Sequence, residues 1–131
     1  MTSPHWVSIE TAMALHHSVI EIAGGSAGLR EASLLMSAMA RAQNRHAYGE
    51  RDLFQLGATY AEAISRNHAF IDGNKRTAFM VAVVFLDQNG ISLNAADGSE
   101  HAVMMEALAQ GKLSSGDAAA YLRDNSSRMK V

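Results

Sequence analysis

Apolar residues recur at helical spacing through most of this chain. Ser8 reads as the N-cap of a helix running to about Ala23, with Ile9, Met13, Ile20 and Ala23 among its apolar positions. Gly24 and Gly25 stop it, and the segment Gly24–Arg30 reads as a glycine-rich loop. A second helix is expected from about Glu31 to Arg45, where Leu34, Leu35, Ala38, Met39 and Ala42 share a face. Asp52 caps a third, from about Leu53 to Arg66, with Phe54, Ala58, Ala61 and Ile64 on or near one face. The pattern breaks over Asn67–Gly73. A fourth helix starts near Asn74 and stops at Asn89–Gly90. Its centre, Phe79–Leu86, is apolar on every face. That fits a helix buried all round or a buried strand; total length and the alanines favour the helix. Ile91–Leu93 reads as a short extended piece, one strand of a vestigial hairpin. Helices over about Ser99–Gln110 and Ser115–Asp124 follow, the last opened by a capping box of Ser114 and Asp117. The expected fold is all-α: about six helices around a buried central helix.

Composition narrows the picture. The 131 residues suit one domain, 1–131, with enough apolar content for a core without staples. The absence of cysteine excludes disulfides, thiol nucleophiles and thiolate metal sites, and suits a reducing cytoplasm. A formal charge of -2 and a pI near 6.3 give no support to a nucleic-acid or anionic-membrane surface. The N-terminus has no basic stretch followed by an apolar one, so no signal peptide is expected, and no apolar run reaches bilayer length. The methionines lie mostly at helical spacing, where core filling is the default. His16 and His17 are adjacent and cannot share a helix face, which argues against a metal pair; His5, His46 and His101 read as surface or structural residues.

The chemistry concentrates in His68-Ala-Phe-Ile-Asp-Gly-Asn-Lys-Arg76. Gly73 and Asn74 open the fourth helix, whose first N–H groups and dipole make an anion site. Gly73 admits an anion close to the backbone. Lys75 and Arg76 put two cations in the first helical turn, the end where dipole energetics disfavour them. A bound polyanion would repair that violation. Asp72 is a carboxylate suited to Mg²⁺, which one or two carboxylates commonly bridge to phosphates. It could also simply cap the helix. His68 has the side chain to take a proton from a hydroxyl near neutral pH, and Phe70 would anchor the loop in the core. Together these are the parts for phosphoryl or nucleotidyl transfer.

This stretch resembles the signature of the Fic/Doc family, His-x-Phe-x-(Asp/Glu)-(Ala/Gly)-Asn-(Gly/Lys)-Arg, at every fixed position. Fic adenylyltransferases usually carry glycine where this chain has Lys75, and a second arginine where it has Phe79. Lysine, followed by Arg-Thr-Ala and an apolar run ending in Asn-Gly, resembles the Doc (death-on-curing) branch. The likeness extends to Gly24–Arg30, Tyr48-Gly-Glu50 and Asp52-Leu-Phe54. The resemblance implies a Fic/Doc-type helical bundle and assigns roles. His68 would be the general base, Asp72 the Mg²⁺ ligand, and Gly73 and Asn74 the anion hole; Lys75 and Arg76 would bind nucleotide phosphates. His68, Asp72, Asn74 and Arg76 would thus carry catalysis. It further implies a toxin that uses Mg-ATP to phosphorylate a serine or threonine of a translation elongation factor in the cytoplasm. A small antitoxin would fold its tail near the active site, and the 24–30 loop would be a flap holding the target through main-chain hydrogen bonds. AMP transfer by a Fic-like enzyme, and a non-catalytic domain binding nucleotide or antitoxin, are the rival readings.

Overall fold

Among the described residues, six helices form where the apolar spacing predicts them. The structure, a computed structural model, describes residues 3–129. The helices are α1 (Ile9–Ala23), α2 (Ala32–Ala47), α3 (Leu53–Asn67), α4 (Asn74–Gln88), α5 (Glu100–Ala109) and α6 (Ser115–Asp124). Side-chain caps set three of the starts: Ser8 accepts from Thr11 N–H, Asp52 from Phe54 N–H, and Ser114 exchanges both bonds of a capping box with Asp117. Helix α2 begins at Ala32 without a side-chain cap; Glu31 is its N-cap residue and sits outside the helix in extended conformation.

The core lies between α3 and α4. Every residue of α3 from Leu56 to Ser65 is buried except Glu62, because α2, α4, α5 and α6 all pack around it. The apolar segment of α4 is helical, and Val81, Ala82, Phe85 and Leu86 are buried against α3. It is not covered all round: Met80 is 36% exposed and lies on an open groove. Helix α1 departs from its expected face. Its buried residues are Ala12 and His16, whereas Met13 and Ala23 are exposed. The physical reason is that α1 straddles the loop before α4, which takes a polar side chain. Methionine also diverges from core filling: Met39, Met104 and Met105 are buried, but Met13, Met36, Met80 and Met129 are exposed.

The extended piece β1 (Ile91–Leu93) has no local hairpin partner. It pairs antiparallel with β2 (Ser126–Arg128) at the chain's far end, in the register Ile91↔Arg128, Ser92↔Ser127 and Leu93↔Ser126. No helix is long and apolar enough to cross a membrane among the described residues.

Candidate functional site

The loop between α3 and α4 is gripped from three directions. His68 ends α3 with φ 52°, the only non-glycine residue at positive φ among the described residues. That conformation is uncommon outside glycine, although histidine tolerates it better than most residues. Its carbonyl accepts from Arg30 Nε at 2.9 Å. Its imidazole is exposed and has no hydrogen-bond partner among the described residues, so it is open to a substrate hydroxyl.

The next residues pair with the 24–30 segment. Leu29 and Phe70 form an antiparallel bridge: Arg30 N–H donates to Ala69 O at 2.7 Å, and Ile71 N–H to Gly28 O at 3.1 Å. In this pairing the N–H and C=O of Leu29 and of Phe70 point away from each other. Asn74 satisfies both groups of Phe70, its Oδ1 accepting from Phe70 N–H (3.0 Å) and its Nδ2 donating to Phe70 O (2.9 Å). The Asn74 carboxamide therefore shapes the loop, and its offer to an anion is its backbone N–H. On the other edge, Leu29 keeps its N–H and C=O free among the described residues. The Phe70 ring is buried, as expected of an anchor.

Asp72 is exposed and does not cap α4. Its Oδ2 accepts from Ser26 N–H at 2.8 Å, tying the 24–30 segment across the loop. The N-cap is Gly73, at φ 78°, with no side-chain cap. The first bond of α4 runs from Thr77 N–H to Gly73 O, leaving the preceding N–H groups as donors at the helix mouth. A Cβ on Gly73 would lie 3.3 Å from Ile20 Cδ1, so glycine serves both the backbone angle and the approach of α1.

The two cations differ. Lys75 Nζ bonds Glu106 Oε2 of α5 at 2.7 Å, and that hydrogen bond, then the lysine's charge and a bond from Gln110, hold the Glu106 carboxyl below the usual range. Glu106 thus offsets the Lys75 charge within the chain, beside whatever a bound polyanion would add. Arg76 has no ionic partner among the described residues. Both border a groove of 560 Å³ between α1, α4 and α5, walled by Leu15, Val19, Ile22, Phe79 and Met80. Its size suits a nucleotide or a helix segment.

Among the described residues no three acidic or histidine side chains gather to hold a metal unaided. Asp72 fits Mg²⁺ in a different way. A single exposed carboxylate beside the N–H groups at the mouth of α4 would supply one ligand to such an ion, which takes most of its others from water and phosphate oxygens.

Residues outside the nine-residue stretch also reach the site. His16 stacks on Phe70 with ring centroids 3.8 Å apart at 9°, and its Nε2 lies 2.8 Å from Asp72 O. Arg30, Ser26 and Glu106 reach the site from distant segments. Only an apolar face interrupted by a histidine could have signalled His16.

Fold and loop together define a helical domain whose α3–α4 loop sets an exposed imidazole beside the uncapped N-terminus of α4. The model for the "Fic/DOC family" matches residues 6–86, and the chain belongs to that family. It is similar to the protein kinase doc of Escherichia phage P1, 38% identical over 118 residues that cover 89% of this chain and 92% of that protein. It is also 41% identical to the toxin Doc of Mycolicibacterium smegmatis over 75 residues, 55% of this chain and 57% of that one.

Proposed function

We propose that this chain is the toxin of a toxin–antitoxin pair and a protein serine/threonine kinase, which uses Mg-ATP to phosphorylate a translation elongation factor in the cytoplasm. The observation that carries this reading is the loop His68–Arg76, fixed at both ends with an imidazole unpartnered among the described residues at one side and the open N-terminus of α4 at the other. The name of the phage P1 relative supports a kinase.

In the proposed reaction His68 accepts the proton of the target hydroxyl. A bond forms from that oxygen to the γ-phosphorus as the bond to the β-phosphate oxygen breaks, and ADP leaves. The N–H groups of Gly73, Asn74 and Lys75, with the side chains of Lys75 and Arg76, hold the phosphates. Asp72 would hold Mg²⁺, which neutralises charge on the phosphate oxygens. The free edge at Leu29 suits main-chain pairing with an extended target segment. The apolar groove with cations at one end suits an antitoxin helix with an acidic end; binding there would cover Lys75 and Arg76. Phe79 favours phosphoryl over AMP transfer. It stands on the groove wall against His101, ring centroids 5.0 Å apart, where a second arginine would otherwise serve the phosphates.

The test is to incubate the chain and a bacterial translation extract with ATP labelled at the α or the γ phosphate. Label from the γ position on a protein band is expected. Transfer from the α position would establish AMP transfer instead, and no transfer from either would leave a binding domain.

A further inference from the structure

We propose that His16 is the positioning residue of this site: by hydrogen-bonding Asp72 O it aims the Gly73 N–H at the incoming phosphate. This rests on the reading above that the loop binds a phosphate.

The side chain is 5% exposed, the one buried imidazole among the described residues, and it comes from α1 rather than from the motif. A carbonyl oxygen only accepts, so the contact of 2.8 Å places a proton on Nε2, which donates to Asp72 O. The peptide between Asp72 and Gly73 is trans, as are all the described peptides. In a trans peptide C=O and N–H point in opposite directions. Drawing Asp72 O inward onto His16 therefore turns Gly73 N–H outward. That N–H has no acceptor among the described residues. It sits at the mouth of α4, beside the first-turn N–H groups.

The ring stack sets the other coordinate. His16 lies flat on Phe70, whose main chain is clamped by Asn74. One imidazole thus fixes the loop at two points, residues 70 and 72, and the Asp72 side chain between them and Ser26 inherits that alignment. No other α1 side chain hydrogen-bonds the loop among the described residues. A merely space-filling residue would need the stack but not the donor, and this difference is measurable.

The experiment compares wild type, His16→Phe and His16→Gln. Phenylalanine keeps an aromatic ring and loses the donor; glutamine loses the ring and can place an amide N–H near the Nε2 position. Titration with Mg-ATP, followed by calorimetry, should show His16→Phe weaker by about tenfold, the usual effect of removing one donor from a group left facing an apolar ring. His16→Gln should stay within about threefold of wild type. Equal affinity of His16→Phe and wild type would overturn the proposal, as would equal losses in both variants. If wild type itself binds no Mg-ATP, the functional reading fails, and amide hydrogen exchange at Ser26 and Ile71 decides the role of His16 without any ligand. Faster exchange in His16→Phe than in His16→Gln and wild type upholds the positioning role; the same rates in all three refute it.

Discussion

His68 shows how a backbone angle can serve chemistry. Its φ of 52° ends α3 and leaves the imidazole clear of the core, so its truncation removes no packing. His68→Ala should lower phosphotransfer about 10²- to 10⁴-fold, the range for losing a general base. Its urea unfolding curve should stay close to wild type, and activity above that range would dismiss His68 as the base. Asp72 bonds Ser26 and, on the proposed function, would hold Mg²⁺; Asp72→Asn separates the two. Asparagine still accepts from Ser26 N–H but carries no charge for Mg²⁺, so flap exchange rates should hold while Mg-dependent ATP binding weakens. On the proposed function the half-exposed ion pair at Lys75 competes with phosphate. Such pairs contribute little, so Glu106→Gln should tighten ATP binding by no more than about fivefold. Because Lys75 depresses the Glu106 pKa, the pair is intact above the ordinary carboxylate range and is lost only as pH falls through that lowered value. The effect of Glu106→Gln should therefore vanish in acid, as titrations across pH would show.

At the scale of elements, the start of α4 carries the site. Gly73 is the point where loop, helix dipole and α1 meet. In Gly73→Ala the methyl meets Ile20 Cδ1 at 3.3 Å, Val19 Cγ1 at 3.4 Å and His16 Cδ2 at 3.7 Å, so a small shift of α1 side chains adds to the backbone cost. That left-handed conformation costs an L-residue roughly 1–2 kcal/mol, which urea denaturation should report together with weaker Mg-ATP binding. An unchanged midpoint would show that the backbone has relaxed to another conformation. Most helix boundaries were legible in the chain because caps and stops are local: Ser8, Asp52 and Ser114 bond within three residues. The buried face of α1 was not legible. His16 is buried by partners more than fifty positions away, and the apolar residues Val19 and Ile22 instead line the groove.

On the scale of the whole molecule, the N-terminal segment is fastened to the core through aromatic contacts. Trp6 stacks on Phe85, Tyr60 packs on the same ring, and Tyr60 Oη accepts from Val7 N–H at 3.2 Å. Burial pushes the Tyr60 phenol up to about 12 against an ordinary 10.0, with the Val7 bond opposing the rise. A raised folded pKa means the contribution of the neutral phenol is full below pH 10.0 and is lost as pH rises toward about 12. Tyr60→Phe should remove that alkaline component. At neutral pH it should cost about 1–3 kcal/mol by leaving Val7 N–H unpaired, readable in denaturant unfolding. The β1–β2 ladder likewise joins distant segments, since Ile91 pairs with Arg128.

By itself the sequence determined the helices, the caps of α1, α3 and α6 and the nine consecutive residues of the candidate loop. These rest on interactions within a few positions, and a contiguous motif keeps its parts together in any fold. Only the tertiary structure decided which groups the loop leaves free. It turned the Asn74 carboxamide onto Phe70, paired Lys75 with Glu106 and brought His16 and Arg30 onto the loop from 56 and 38 positions away. The reason is physical: a side chain's local chemistry names the bonds it can make, but the packing of distant segments chooses its partner.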